Sequence, residues 1–169
     1  IDEIEFEVVG THTYLDAGTF NITTTIQGAP VDAIDSTADV VAAGTNITGA
    51  ITGNYSLAPT PVDVGAVYVF NGSGTAGELG AVTAQGHVTL AGFITSGNAT
   101  GALTLTAQSG DSVTLAVTAP TEEPFGPFPS VLNFTITSGT GQFAGATGSG
   151  TIAVMLGGIN SFKFVITSN

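Results

Sequence analysis

Apolar and polar residues alternate along most of this chain, which is typical of strands that bury one face. At the amino terminus, Ile4, Phe6 and Val8 alternate with three glutamates. The same alternation predicts further strands at 19–26, 66–70, 82–90, 102–106, 113–117, 131–136, 151–156 and 162–166. Glycine-containing turn signals separate these segments at 28–30, 71–74, 96–98, 109–111 and 157–158. The pattern therefore predicts an all-β fold, an antiparallel β-barrel or sandwich of about 8–11 short strands with at most one short helix.

Two segments depart from this alternation. In residues 31–43 the acids Asp32, Asp35 and Asp39 are spaced as on one face of a helix, so a short helix and a long irregular connection both remain open. Residues 119–130 contain four prolines, which cannot donate to a strand ladder, and they are predicted to form a long loop. The length of 169 residues fits a single all-β domain over 1–169, with residues 1–9 as its amino-terminal strand.

The charge balance excludes several classes of partner. Lys163 is the only basic side chain apart from histidine, against 13 acids, so the formal charge is -12. Nucleic acids and anionic membrane surfaces are bound by clusters of Lys and Arg, which this chain lacks. Its longest strongly apolar run, residues 152–156, is far below the ~20 residues of a membrane span. We therefore expect no nucleic-acid partner and no membrane insertion.

The remaining composition indicates a surface that is solvated mainly by uncharged polar residues. There is no cysteine, which excludes disulfides, thiolate metal sites and a thiol nucleophile. A hydrophobic content of 43 % with a mean hydropathy of +0.43 leaves Thr, Ser, Asn and Gly to solvate the surface, which favours covalent sugar or burial in an assembly. The chain begins at Ile1 with no signal-peptide pattern, so we expect either that a leader was removed or that this is a fragment.

Three runs carry a resemblance to a known family: 72–83 (GSGTAGELGAVT), 109–114 (SGDSVT) and 136–150 (ITSGTGQFAGATGSG). Together they resemble a widespread group of uncharacterised bacterial secreted proteins whose fold is similar to the allene oxide cyclase barrel. The resemblance implies a small antiparallel barrel, and the plant cyclases of that fold bind an apolar epoxide inside it. Members often carry a His before the Leu-Gly step and an Arg after it, where this chain has Glu78 and Ala81.

Candidate catalytic and metal-binding residues do not form a recognisable site. His12 and His87 are the only imidazoles, and each is predicted to lie on a strand face without companion ligands. The three aspartates of 31–43 lack the glycine and bidentate glutamate of calcium loops. Glu122 and Glu123 are adjacent in the proline-rich loop, which is unsuitable for a glycosidase pair. No Gly-x-Ser-x-Gly elbow occurs. We therefore predict no catalytic residue, no metal, no cofactor and no enzymatic activity.

Asparagine is distributed in a way that composition alone does not explain. Six of the eight asparagines begin an Asn-x-Ser/Thr sequon. They are Asn21, Asn46, Asn54, Asn71, Asn98 and Asn133. One interpretation is a glycosylated surface protein. The other is that Asn opens turns and Thr fills strands, so that the two residue types adjoin in any β protein.

These observations favour a secreted or cell-surface protein with a structural or adhesive role, such as a subunit of a fibre, pilus-like assembly or matrix. Its expected partners are further copies of itself or other cell-surface components. The alternative is a secreted barrel that binds a small apolar ligand, and a cyclase- or isomerase-like enzyme ranks third. Ile4, Phe6 and Val8 are candidate anchors of a donor strand that completes a neighbouring subunit's sheet, while pairing within its own sheet is the other arrangement.

Overall fold

A computed structural model describes residues 18–25, 33–40, 44–60, 65–90, 98–120 and 128–169 of this protein. The chain divides into two compact units, Ile1–Ala42 and Ala43–Asn169. Residues 1–9, with the candidate anchors Ile4, Phe6 and Val8, lie outside the described residues.

The first unit contains a two-stranded antiparallel sheet of β1 (Gly18–Thr25) and β2 (Ala33–Val40). Its register pairs Gly18 with Val40 and Thr25 with Ala33. The helix or irregular connection expected over 31–43 is wrong for residues 33–40, which form a strand. A partial alternation was present there too, since Ile34, Ala38 and Val40 occupy even positions and the polar Asp35, Thr37 and Asp39 occupy odd ones. Pairing with β1 supplies interstrand hydrogen bonds along one edge of this segment, whereas an isolated helix of its length is marginal in water.

The second unit is a closed antiparallel barrel of eight strands. They are β3 Gly49–Ala58, β4 Val67–Ala76, β5 Ala81–Thr89, β6 Asn98–Ala107, β7 Ser112–Pro120, β8 Val131–Gly139, β9 Ser149–Gly157 and β10 Ser161–Ser168. Consecutive strands are neighbours, and β10 closes the barrel by pairing with both β9 and β3. Within the described residues the only helical elements are 3₁₀ turns at Gly77–Leu79 and Gly141–Phe143. The predicted all-β antiparallel fold is confirmed.

Apart from the predicted amino-terminal strand, which lies outside the described residues, each strand predicted from alternation overlaps a strand of the structure, and two boundaries need correction. Ala119 and Pro120, assigned to the proline-rich loop, end β7, while 121–127 lie outside the described residues and 128–130 are irregular. The turn predicted at 71–74 is wrong, because these residues lie inside β4. Gly72 faces the interior there, and a Cβ at this position would lie 2.8 Å from Cζ of Phe162. Glycine at this site makes room for a neighbour's ring and does not signal a turn.

Apolar side chains from alternate positions of all eight strands are buried inside the barrel, together with Ile47 from the segment before β3. An eight-stranded barrel is only just wide enough for side chains to fill it. The largest fully buried ones are Phe70, Phe164, Ile47, Ile51, Leu103, Leu105, Leu115, Leu132, Ile152, Ile166, Val88 and Val113. No polar or charged residue among those that the structure describes is buried.

The two ends of the barrel differ. At the end where β3 begins, the segment 44–48 is hydrogen-bonded to Thr147 and Ser168, and its Ile47 is completely buried in the core. It is held by hydrogen bonds from the Gly77 amide to the Thr48 carbonyl (2.8 Å) and from the Glu78 amide to the Asn46 carbonyl (2.9 Å). We call this the sealed end. The opposite end carries the β3–β4, β5–β6, β7–β8 and β9–β10 connections.

Candidate functional site

The outer wall of the barrel carries an uninterrupted row of polar residues. One residue from each of seven neighbouring strands contributes, and each is the register partner of the next. We call this the amide row: Ser161, Asn54, Asn71, Gln85, Thr104, Thr114 and Ser138. Its members bear amides and hydroxyls, which both donate and accept hydrogen bonds. The row therefore gives the wall a neutral, well-solvated band.

Five of the six sequon asparagines are exposed. Asn21 lies in β1, Asn46 in the segment 44–48, Asn54 in β3, Asn71 in β4 and Asn133 in β8. Asn98 is the first residue of β6. Residues two apart on a strand point to the same face, so a strand sequon presents its asparagine and its hydroxyl together. Ser56, Ser73 and Thr135, the hydroxyl residues of three strand sequons, are indeed exposed.

Asn46 has a different local structure from the strand sequons. Its side-chain oxygen accepts a hydrogen bond from the Thr48 amide at 2.9 Å, an Asx turn that spans the sequon itself. The backbone N–H of Asn46 donates to a carboxylate oxygen of Glu78 at 3.3 Å. This sequon is thus part of the structure that covers the sealed end.

Asn54 and Asn71 are brought together by the fold although 17 positions separate them in the sequence. They are direct register partners in β3 and β4, and both are exposed. Asn54 is also opposite Ser161, and Asn71 is opposite Gln85. The other described sequons have no sequon partner in register, since Asn133 lies opposite Thr118 and Thr151 and Asn21 opposite Thr37.

A group of aromatic rings occupies the end opposite the sealed one, which we call the aromatic end. Tyr68 and Phe128 meet edge to face with ring centroids 4.8 Å apart, and Tyr55 lies 5.6 Å from Tyr68. Phe70 connects this pair inward to Phe162, at 5.1 Å. Sequence reasoning missed this group, because its members come from three strands and a loop; the aromatic side chains at 55 and 68 were the only signal.

Exposed apolar side chains are concentrated at the same end. In the part of the chain that the structure describes, the exposed large hydrophobic residues are Leu57, Val131, Met155 and Ile159. All four lie at or near the ends of strands on the aromatic side. Ile159 is 99 % exposed and its φ is 59°, in the left-handed region that β-branched residues avoid. The Tyr55 amide, which donates to the Asn160 carbonyl at 2.8 Å, fixes this turn against β3.

Among the described titratable groups, Tyr68 is the one whose pKa is clearly shifted. Burial, and to a smaller extent the neighbouring Tyr55, raises the pKa of its phenol above the usual 10.0. The cause is desolvation, which disfavours the phenolate. Tyr68 is therefore a neutral phenol at physiological pH, with a hydroxyl suited to hydrogen bonding at the rim of an aromatic group.

The other candidates from the sequence are not assembled into a site. His87 is exposed on β5 with Val69 and Ala102 as register partners. Asp35 and Asp39 lie in β2 opposite Thr23 and Thr19. Asp32, His12, Glu122 and Glu123 fall outside the described residues. Across the described ranges, no three His, Cys, Asp or Glu side chains are grouped to hold a metal ion.

The closed barrel bears on the donor-strand arrangement. Each of its eight strands is paired on both sides, so the barrel offers no open edge to an added strand. Among the described strands, only β1 and β2 belong to a sheet that is not closed.

Comparison with known proteins adds no assignment: no family model matches the chain, and no curated protein matches it. Within the described segments, no helix combines the length and apolar character needed to cross a membrane.

Proposed function

We propose that this protein is a structural or adhesive component of the cell exterior, whose barrel displays a neutral, glycosylated wall. The exposure of four sequon asparagines, Asn46, Asn54, Asn71 and Asn133, on a barrel unit with an apolar interior is the observation that carries this proposal. Covalent sugar would cover a surface that has little charge of its own, and amides and hydroxyls in register offer hydrogen bonds to uncharged surroundings.

The apolar character of the buried side chains supports a structural role over an enzymatic one. Catalysis needs polar or ionisable groups that converge on a substrate, and the side chains buried in the described barrel are apolar. Inward glycines such as Gly72 allow phenylalanine rings to occupy the interior. A barrel built in this way is a rigid, inert module, suited to repetition in a fibre or matrix.

Secretion of the chain from a host with N-glycosylation machinery tests this proposal. Intact mass spectrometry should show sugar on the secreted protein, and size-exclusion chromatography with negative-stain microscopy should show assemblies. A variant with Gln at Asn21, Asn46, Asn54, Asn71, Asn98 and Asn133 is the matched control, because it keeps an amide at each site. A monomer without sugar at high concentration would contradict the proposal.

A second candidate function is the binding of a small apolar ligand at the aromatic end, favoured by the half-buried rings of Tyr55, Tyr68 and Phe128 beside the exposed Leu57. The chain has no tryptophan, and Tyr55 and Tyr68 are two of its three tyrosines, so the tyrosine fluorescence of a Tyr14→Phe variant reports on this end. Titration with a long-chain fatty alcohol should change that emission in a saturable way. The response should be lost in Tyr68→Ala and kept in His87→Ala, on the outer wall. A linear, unsaturable response would exclude this function.

A further inference from the structure

The register of β3 and β4 places two sequons side by side on the outer wall. Asn54 and Asn71 are direct cross-strand partners, and both side chains are exposed. Directly opposed residues of an antiparallel pair have Cβ atoms about 4.5–5.5 Å apart, with side chains that stand roughly perpendicular to the sheet. The two amide nitrogens that would carry sugar therefore project from neighbouring points.

The surroundings of the pair limit how far the two side chains can move apart. Ser161 lies beyond Asn54, and the long, exposed Gln85 lies beyond Asn71. A sugar on one asparagine is bulky and must cover part of its immediate neighbours. For each of the two asparagines, one of its two register partners in the amide row is the other acceptor. A second sugar would have to be accommodated against the first.

We propose that Asn54 and Asn71 act as a single acceptor pair, so that the folded barrel carries sugar on one of the two and not on both. This inference rests on the proposed function, which supplies the glycosylation. Chains modified at both positions meet a steric conflict when β3 and β4 pair, and they are depleted from the folded protein.

A property of the sequence offers a competing explanation for low occupancy. Both paired sequons end in serine, at Ser56 and Ser73, whereas the other four end in threonine. A weak sequon lowers occupancy at its own site independently of its neighbour. A pairing effect couples the two sites, so that removal of one asparagine raises occupancy at the other.

Proteolysis after glutamate places both asparagines of the pair in one fragment. Cleavage after Glu7 and Glu78 releases residues 8–78, because no glutamate lies between them. In the double variant Asn21→Gln/Asn46→Gln, Asn54 and Asn71 are the only sequons in that fragment. Its mass therefore distinguishes no, one and two sugars in secreted, folded protein.

The expected result is a singly modified fragment. The doubly modified form should fall about tenfold below the product of the two single occupancies, the ratio that a repulsion of about 1.4 kcal/mol produces. Asn54→Gln should raise occupancy at Asn71, whereas Asn133→Gln, at a site that is not a register partner, should not.

Each other result decides against the inference in a recognisable way. Two sugars at the product frequency in folded protein overturn it and leave the proposed glycosylation intact. Sugar at Asn133 with none at Asn54 or Asn71, even in the single variants, also overturns the inference and leaves the proposed glycosylation intact. Absence of sugar at every sequon overturns both the inference and the glycosylated wall of the proposed function.

Discussion

Gly72 of β4 lies directly against Phe162 of β10: a Cβ at Gly72 would stand 2.8 Å from Cζ of Phe162 and 2.5 Å from the carbonyl oxygen of Thr52. Phe162 is buried and packs on Phe164 with ring centroids 4.4 Å apart, so it has little room to withdraw. The absence of a side chain at residue 72 is thus part of how the barrel encloses its aromatic core.

Gly72→Ala should destabilise the barrel by about 1–3 kcal/mol, the usual range for overpacking a filled interior. Gly158→Ala is the matched control, since a Cβ at Gly158 meets nothing within 4 Å and its backbone needs no positive φ. Urea unfolding followed by circular dichroism measures both. Equal stability of the two variants would show that β4 and its neighbours accommodate the added methyl group without loss of stability.

Ile159→Asn should stabilise the protein, by up to about 1 kcal/mol, because a left-handed conformation is costly for a β-branched residue and is tolerated by asparagine. The Ile159 side chain is 99 % exposed, so its replacement sacrifices no core packing. Thermal unfolding of the variant beside wild type measures the gain. A lower melting temperature would mean that Ile159 makes apolar contacts in solution, as an interface would provide.

Tyr68 should make stability fall in alkaline solution. Its pKa is raised in the folded state by burial and by Tyr55, so above a pH of about 10 the unfolded chain releases this proton first. The contribution of the neutral phenol to the free energy of unfolding is complete below that pH and is lost as the pH rises through the pKa that Tyr68 has in the folded state. Tyr68→Phe should reduce the alkaline loss relative to wild type. Urea midpoints measured from neutral to alkaline pH test this, and parallel curves would refute it.

The unit Ala43–Asn169 should fold alone, because every one of its strands has both partners within it. A chain that begins at Ala43 should show cooperative unfolding and the β-type circular dichroism of the intact protein. Removal of 161–169 as well deletes β10 and opens the barrel between β9 and β3, so this second truncation should not fold. Failure of the first truncation would show that residues 1–42 are required by the barrel.

Strand identity could be read from the sequence wherever apolar side chains alternate without interruption. In β8, Leu132, Phe134 and Ile136 point inward between exposed Val131, Asn133 and Thr135, and the period of two suffices to predict a strand. β3 was missed because its inward positions include Gly49 and Gly53, which weaken the alternation. In β2 the spacing of the aspartates fits a helix and the apolar residues fit a strand, so the sequence alone did not distinguish the two. Its pairing with β1 shows that it is a strand.

The sequence by itself determined the fold class of this protein, since alternation and glycine-containing turns specify a β fold whatever the topology, and its near absence of basic residues gives the chain a net negative charge. It determined the identity of the sequons, but not that Asn54 meets Asn71 or that Tyr55, Tyr68 and Phe128 form one group. Those relationships depend on strand register and barrel closure. Register is set by how the whole set of inward side chains packs, with large rings such as Phe162 opposite glycines such as Gly72. That complementarity acts between residues remote in sequence, so it exists only once the chain has closed on itself.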